Sequence, residues 1–277
     1  MPPSYFDCHT HLNMQFDSDW RDAGKRALDG GVWFVNVGSD KENSKIAVQQ
    51  AKEIGDGCFA TVGIHPTEGD IDDFAEIAKF AEDEKMVAIG ECGMELTQNS
   101  SAKILPSKNL GRQEELFRKH IELAIEVEKP VMAHCRNAYQ EAWEILNEYK
   151  KTAGDKFQFD MHFFTGNWET AKKFLDLGGY LSFPGVITFT SDYDEVIRNT
   201  PLDRIMSETD APFATPKPSA EYLAKAGFAA PIPHRGQRNE PAYVKFVAER
   251  IAELRPEPRE EVLAALVNNA RRFYNIP

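Results

Sequence analysis

The stretch YFDCHTHL, residues 5 to 12, begins with aromatic and apolar residues and ends in two histidines. A short apolar run that ends in polar residues is typical of a strand buried on both faces of a parallel sheet. Seven further runs of this kind follow: VWFVNVGS (32–39), CFATVGIHP (58–66), MVAIGECGM (86–94), PVMAHCR (130–136), FQFDMHFFTG (157–166), GYLSFPGV (179–186) and RIMSETDAP (204–212). Their recurrence along the chain predicts eight parallel strands.

Segments with helical periodicity separate these runs. In LGRQEELFRKHIELAIEVEK (110–129), apolar side chains recur at helical intervals, as expected of a helix that packs on a sheet. The acidic stretch DIDDFAEIAKFAEDEK (70–85) predicts a solvated helix, and Asn137 is a candidate N-cap for the helix after the fifth run. The alternation favours an α/β fold, a single (β/α)8 TIM barrel, with a doubly wound open sheet as the alternative.

The length of the chain fits one such barrel. It has 277 residues, of which 42% are hydrophobic and 27% are charged, and barrels of this type need about 250 residues. We find neither an interdomain linker nor an internal repeat, and therefore expect one domain over residues 1–277. Two irregular stretches, 96–109 and 214–239, follow strands, so we expect both to overhang the catalytic face; their roles are left open.

Charge and hydropathy argue against two classes of protein, general nucleic-acid binders and membrane proteins. The net charge of −12, from 44 acidic and 32 basic residues, argues against unspecialised electrostatic binding of nucleic acid. The sequence has no apolar run of the roughly 18 to 20 residues that a membrane span requires, and its start lacks the features of a signal peptide. We therefore expect a cytoplasmic protein without membrane association, and the sequence indicates no obligate protein partner.

The cysteines do not indicate a disulfide framework or a zinc knuckle. The chain has 4 cysteines, far apart and without paired spacing, so we expect reduced and buried thiols. Cys8, Cys92 and Cys135 directly neighbour candidate ligands. Alternation along a strand is expected to turn them toward the helices.

Histidines and acidic residues cluster at the carboxyl ends of the predicted strands. Alternation places Asp7, His9 and His11 on one strand face, so the two histidines can bind one metal ion. Four further candidates lie near the ends of later runs: Glu91, His134, His162 and Asp210. These strand ends converge on one rim of a barrel. His120, in mid-helix, is given no role.

Four imidazoles and two carboxylates are a suitable ligand set for two divalent cations. The expected ligands fall into one group for each cation: His9, His11 and Asp210 in the first, His134 and His162 in the second. Glu91, on the strand between them, would bridge the cations. Imidazole favours zinc, nickel, iron or manganese, and magnesium with retained waters is also compatible. The alternative is a polar network without a metal.

These residues make the chain resemble the TatD-related metal-dependent hydrolases, usually described as deoxyribonucleases, within the amidohydrolase-like barrels. The resemblance covers almost the whole chain and depends on an ordered set of motifs: FDCHTHL, GIHP, AIGECGME, AHCR, HFFTG, ETDAPF and PHRGQRNEP. It implies that the six residues selected by strand geometry are the metal ligands. The chain departs from the family pattern at Glu95, where Asp is common, and in the longer stretches 96–109 and 216–230.

The resemblance implies a divalent-metal-dependent hydrolase of ester bonds, acting as a 3′–5′ exonuclease-like deoxyribonuclease on the end of a DNA strand. Two divalent ions, Mg, Mn or Zn, would activate a water for attack on the phosphodiester. Asp210 would orient or deprotonate this water, and Glu91 would set the separation of the ions. These two residues are therefore the candidate catalytic residues.

Binding of a phosphate requires hydrogen-bond donors in addition to the cations. The candidate substrate-binding residues lie on the rim or in the nearby PHRG loop: His65, Arg136, His234 and Arg235. Arginine suits this role because its planar fork donates two parallel hydrogen bonds to phosphate.

Two other functions fit the same ligands. The first is metal-dependent hydrolysis of a small ester, lactone, amide or phosphoester, which the acidity of the chain slightly favours. The second is a non-catalytic binding scaffold that contains a metal. The scaffold is less favoured because structural zinc is usually enclosed by protein, whereas these ligand sets leave room for water.

Overall fold

In the part of the chain that the structure describes, eight parallel strands form the centre of the fold and are adjacent in the sheet in the same order as in the sequence. The computed structural model describes residues 2–16, 18–97, 110–217 and 236–277. The strands are β1 (Tyr5–Thr10), β2 (Val32–Val37), β3 (Cys58–Val62), β4 (Met86–Glu95), β5 (Val131–Arg136), β6 (Phe159–His162), β7 (Tyr180–Phe183) and β8 (Ile205–Ser207). A parallel bridge from Thr10 to Ala211 joins the two edges of the sheet. The predicted (β/α)8 barrel is confirmed, because an open doubly wound sheet would reverse its strand order at a switch point.

Helices pack around the outside of this barrel. In the described ranges they are α1 (Trp20–Asp29), α2 (Lys41–Ile54), α3 (Phe74–Ala78), α4 (Leu110–Glu126), α5 (Tyr139–Ala153), α6 (Trp168–Asp176), α7 (Asp194–Asn199), α8 (Val244–Leu254) and α9 (Arg259–Phe273). None of them combines the length and the apolar character that crossing a membrane requires.

Neighbouring residues of a strand pack into two different apolar clusters. Phe34 belongs to the larger cluster, which contains residues of the surrounding helices, whereas Val35 belongs to a smaller one. The smaller cluster also contains Phe6 of β1 and Tyr274, which follows α9, with ring centroids 6.0 Å apart. The interior of the barrel is therefore packed near the amino ends of the strands by the last helix and the residues after it.

The pairing of β1 with β2 departs from strict alternation, because its register shifts between Asp7 and Thr10. Cys8 packs with Phe6 in the smaller cluster, inside the barrel, and our expectation that it faces the helices is wrong. Cys92 and Cys135 pack in the larger cluster with helix residues, as expected. All four thiols are buried and free.

The acidic stretch 70–85 is less helical than predicted. A 3-10 turn, Ile71–Asp73, leads into the short helix α3, which ends at Ala78. Most charged residues in this stretch are acidic, so few pairs of opposite charge are available to stabilise a longer helix. Beyond the helix, Asp83 instead forms an ion pair of 2.5 Å with Lys52 of α2.

Candidate metal centre

The structure brings all six predicted metal ligands together at the carboxyl ends of the strands. They lie in β1, β4, β5 and β6 or shortly after β1 and β8: His9, His11, Glu91, His134, His162 and Asp210. Parallel strands present these ends on one rim, which is where barrel enzymes place their active sites.

The first predicted group surrounds a single position. The Nε2 atoms of His9 and His11 are 2.9 Å apart. They lie 3.6 and 3.7 Å from Oδ1 of Asp210, and at the same distances from Oε2 of Glu91. Converging nitrogen and oxygen lone pairs in a buried site need a proton or a cation among them. The residues present therefore fit a metal ion.

The second group gathers around the other oxygen of Glu91. Oε1 of this carboxylate lies 2.9 Å from Nδ1 of His134 and 3.1 Å from Nε2 of His162. These two ring nitrogens are 3.4 Å apart. The two oxygens of one carboxyl group thus face two separate sets of imidazoles, which is the arrangement a bridging ligand needs.

Glycines allow β4 to approach its neighbours closely enough for these contacts. Gly93 has a φ of +142°, and a Cβ at this position would lie 2.0 Å from the carbonyl oxygen of His134 on β5. On the other side, a Cβ on Gly63 would lie 2.5 Å from the carbonyl carbon of Gly90. Only residues without a side chain fit such approaches.

Two of the imidazole rings contact an oxygen atom through the ring nitrogen that faces away from the other ligands. Nδ1 of His11 is 3.0 Å from the carbonyl oxygen of Val37, and Nε2 of His134 is 3.2 Å from Oε2 of Glu95. The backbone N–H of Thr97 donates to the other oxygen of Glu95 at 2.7 Å. An acceptor on the far nitrogen fixes the tautomer and the direction of a metal-binding imidazole. Glu95, noted above as a departure from the family pattern, thus contacts the site directly.

Sequence reasoning missed Glu208, which lies behind His162. Its Oε1 is 3.3 Å from Nδ1 of His162, within ion-pair distance but off the line of a hydrogen bond. The same oxygen accepts the backbone N–H of Phe163 at 2.9 Å, and Oε2 accepts the hydroxyl of Ser182 at 2.6 Å. The available signal was the motif SETD, in which Glu208 precedes Asp210 by two residues.

Asp7 does not join the ligand group but connects β1 to the segment after β8. Its carboxylate accepts the backbone N–H and the hydroxyl of Thr209 at 2.7 and 2.6 Å, and the backbone N–H of His9 at 3.2 Å. The N–H of Asp210 in turn donates to the carbonyl of His9 at 2.8 Å. These bonds hold Asp210 beside His9, although the two residues are far apart in the sequence.

Burial and neighbouring groups set the charge of the site. Burial lowers the pKa of both His9 and His11, so their rings are neutral. Burial also opposes ionisation of Glu91, but the imidazoles around it, those of His65 and His162 foremost, outweigh burial and hold its pKa well below its usual range. The neutral rings of His9 and His11 and the ionised carboxylate of Glu91 are forms that bind a cation. At His162 burial opposes protonation of the ring, but the neighbouring carboxylates outweigh burial and raise its pKa. Burial raises the pKa of Asp210 well above its usual range, although His162 opposes this shift.

The described residues contain three groups whose potential ligand atoms lie within 4.8 Å of one another. The groups are His9, His11 and Asp210; His65, Glu91 and His134; and His9, His162 and Glu208. In the second set, Nε2 of His65 is 3.5 Å from Glu91, farther than either imidazole of the predicted group. Nδ1 of His65 accepts the N–H of Thr67 at 3.2 Å, so its proton is on Nε2 and this nitrogen is a donor. In the third set, Glu208 already accepts two hydrogen bonds.

The ligand group opens into a cavity of about 710 Å³ that both His65 and Arg136 line. Burial lowers the pKa of His65 to about 3, so this ring is neutral. The guanidinium of Arg136 lies 5.4 Å from the ring centre of Phe163, and it forms no hydrogen bond or ion pair with any residue that the structure describes. The other two predicted donors, His234 and Arg235, lie outside the described residues.

Comparison with known proteins identifies the family. A barrel with this site belongs to the metal-dependent hydrolases, and the family model described as TatD related DNase matches residues 6–275. The chain therefore belongs to the TatD-related DNase family, which confirms the resemblance found in the sequence motifs.

Individual relatives and solved structures agree with this placement. The chain is 37% identical over 279 residues to the uncharacterized metal-dependent hydrolase YabD of Bacillus subtilis, covering 98% of this chain and 99% of that protein. It is 29% identical over 279 residues to the protein named 3′-5′ ssDNA/RNA exonuclease TatD of Erwinia tasmaniensis, covering 98% and 100%. The crystal structure of YjjV, a TatD homologue from Escherichia coli K12, matches with a TM-score of 0.83 and 26% identity over the full length of both chains.

Proposed function

We propose that this protein is a two-metal phosphodiesterase that removes nucleotides from the 3′ end of single-stranded DNA. The name of the Erwinia relative supports the choice of substrate, and the family supports metal-dependent hydrolysis. The observation that carries the proposal is the position of Glu91, whose two carboxylate oxygens face separate sets of imidazoles.

The proposed ligands follow from the two groups of contacts. One cation is assigned to the first group and the other to the second: His9, His11 and Asp210, then His134 and His162. Glu91 would bridge the two positions. Divalent cations at such a site lower the pKa of a bound water and neutralise charge on the phosphoryl oxygens. Mg, Mn and Zn are the candidate ions.

Three carboxylates near the imidazole rings have distinct roles in this proposal. Asp210, whose Oδ1 faces both ring nitrogens of the first group, would orient the attacking water and, in its ionised form, would accept the proton of that water. Glu95 and Glu208 act as positioning residues that hold His134 and His162 in the orientation that points them at Glu91.

Donors around the cavity would bind the phosphate. His65 lines the cavity and carries its proton on Nε2, because its other nitrogen accepts from Thr67. Arg136, at the end of β5, supplies a guanidinium that forms no ion pair with a carboxylate in the described residues. A planar guanidinium binds phosphate through two hydrogen bonds. His234 and Arg235 remain predicted donors in the same role.

A metal-reconstituted assay tests the proposal. Protein stripped with a chelator is supplied with Mg²⁺, Mn²⁺ or Zn²⁺ and given 5′-labelled single-stranded DNA beside a panel of phosphoesters, lactones and amides. We expect a ladder of products shortened from the 3′ end. Turnover confined to nonphosphate compounds would show that the substrate is wrong, and full metal occupancy without any turnover would favour a scaffold.

The ligand assignment has a separate test that needs no turnover. We expect Glu91→Gln to contain less metal by elemental analysis than the wild type, because the neutral amide removes the charge shared by both cations. The matched control is Glu82→Gln, which changes an exposed glutamate outside the site in the same way. Equal metal content and full activity in Glu91→Gln would contradict the bridging role.

A further inference from the structure

Phe213 presents its aromatic ring at the mouth of the cavity. Its side chain lines the cavity together with the proposed ligands, and 44% of its surface is exposed, more than that of any other large hydrophobic residue in the described part of the chain. The ring centre lies 6.4 Å from that of His11, and the two planes are tilted by 70°. A large apolar surface is thus left open beside the first ligand group.

Hydrogen bonds fix the backbone segment from which this ring projects. The N–H of Phe213 donates to the carbonyl oxygen of Asp210 at 2.8 Å. Its own carbonyl accepts from the side-chain amide of Asn239 at 2.6 Å, and the same amide also donates to Thr209 at 2.9 Å. Asn239 is fully buried. A side chain presented on a rigid segment loses little freedom when it binds a ligand.

A cationic group lines the same cavity. Arg136 lies over Phe163, whose backbone has a φ of +48° and is anchored by the bond from its N–H to Glu208. An aromatic residue rarely adopts this left-handed conformation, so the surrounding contacts hold Phe163 in it. The cavity therefore combines a hydrogen-bond donor for phosphate, Arg136, with an exposed apolar ring, Phe213. These are the two chemistries that a nucleotide requires.

We infer that Phe213 is a stacking platform for the nucleobase of the 3′-terminal nucleotide. This inference deepens the proposed function and depends on it for the identity of the substrate. Stacking uses the flat face that every base has, so Phe213 detects whether a base is present and not which base it is. A base that is paired and stacked within a duplex cannot lie on this ring. The platform therefore selects unpaired ends.

Two oligonucleotides that differ in a single group test the inference. Both are single-stranded DNA of one sequence, but one carries an abasic tetrahydrofuran at its 3′-terminal position. Stacking of one base on an aromatic side chain changes affinity by roughly fivefold to a hundredfold. We expect the wild type to cleave the complete strand with a kcat/KM at least about fivefold higher than the abasic one.

Variants of Phe213 assign this preference to its ring. Phe213→Ala is expected to cleave both strands at the rate of the abasic one, whereas Phe213→Trp keeps the preference because it keeps an aromatic face. The matched control is Ile46→Ala, which shortens another exposed apolar side chain, on α2 and outside the cavity. This control should discriminate between the strands as the wild type does.

The failure of this inference can be distinguished from failure of the proposed function. If the wild type cleaves both strands equally well, or if Phe213→Ala retains the preference, the stacking role is overturned while the nuclease assignment stands. If neither strand is cleaved, fluorescence anisotropy of the labelled strands decides. Tighter binding of the complete strand by wild type but not by Phe213→Ala supports the platform, and equal affinities overturn it.

Discussion

At the scale of single residues, His120 shows how this fold uses a histidine away from the strand ends. Its Nδ1 donates to the carbonyl oxygen of Leu116 at 2.7 Å, and its Nε2 accepts the N–H of Ile64 at 3.0 Å. Both nitrogens are thus used within the packing of α4 against the barrel. Burial lowers the pKa of this ring to about 4, so it is a neutral structural group.

The shift at His120 predicts a loss of stability in acid. The folded pKa of about 4 lies below the ordinary value of 6.5, so the unfolded chain binds more protons between these values. The stabilisation is fully present above pH 6.5 and is lost as the pH falls toward 4, by about 3 kcal/mol. Urea unfolding at pH 7 and pH 4.5 should show a smaller loss for His120→Gln than for the wild type; an equal loss would contradict the shift.

Glu208 gives a second residue-scale prediction. Glu208→Gln keeps the size of the side chain but removes the charge behind His162, and removing such a support typically costs 10-fold to 100-fold in metal affinity or activity. Metal titration of the stripped protein measures this loss. The matched control is Glu249→Gln, another buried glutamate, which pairs with Arg259 on α9. It should lower stability without changing metal affinity. Equal metal affinity in Glu208→Gln and wild type would show that Glu208 does not support metal binding.

The sequence could group the six candidate ligands because each lies at or just beyond the end of an apolar run, and a barrel gathers those ends. Glu208 could not be predicted, because its role depends on which way the ring of His162 turns. That direction depends on contacts between residues 45 positions apart, such as the bond from Phe163 to Glu208. The motif SETD places Glu208 close to Asp210 in the sequence, but it does not encode the contact of Glu208 with His162.

At the scale of elements, β4 is the strand on which the site depends most. All ten of its residues are buried, and it contributes both Glu91 and Glu95.

The loop after the neighbouring strand β5 was predicted less well. Asn137 does not cap α5, whose N-cap position is Ala138. It has a φ of +55°, and its amide donates to Thr97 after β4 at 3.0 Å. A contact between two loops thus replaced the local capping bond that the sequence favoured.

Gly93→Ala tests how closely β4 must approach β5. The new methyl would lie 2.0 Å from the carbonyl oxygen of His134, so the strands must separate. We expect a loss of about 1–3 kcal/mol in the free energy of unfolding, together with weaker metal binding as Glu91 moves away from His134. Gly111→Ala in α4 is the control, because nothing lies within 4 Å of its added Cβ. This control should retain or gain stability. A Gly93→Ala protein with unchanged stability and metal affinity would show that the approach is not required.

At the scale of the whole molecule, the strand order could be predicted because each helical segment returns the chain to the adjacent strand. The closure of the sheet is a tertiary contact, the bridge from Thr10 to Ala211, and the sequence favoured it only over an open alternative. The stretches 96–109 and 214–239 were expected to overhang the site. Only their ends, 96–97, 214–217 and 236–239, lie within the described residues, so that expectation stays a prediction.

Metal binding should stabilise the entire barrel. A ligand that binds only the folded chain adds about 2.7 kcal/mol when its concentration is 100 times its Kd. For a chain of 277 residues this raises Tm by about 5 °C. Thermal unfolding of stripped protein with and without Mg²⁺, Mn²⁺ or Zn²⁺ measures the effect. Glu91→Gln should show a smaller increase, and a Tm that no divalent ion changes would contradict the metal centre.

The packing of Tyr274 against Phe6 has a consequence for biosynthesis. The hydroxyl of Tyr274 also donates to the carbonyl oxygen of Cys8 at 3.0 Å, which joins the segment after α9 to β1. A ribosome makes the first strand long before it makes this tyrosine. The nascent chain must therefore leave one side of that strand uncovered for most of translation, and such exposed apolar surface is what chaperones bind.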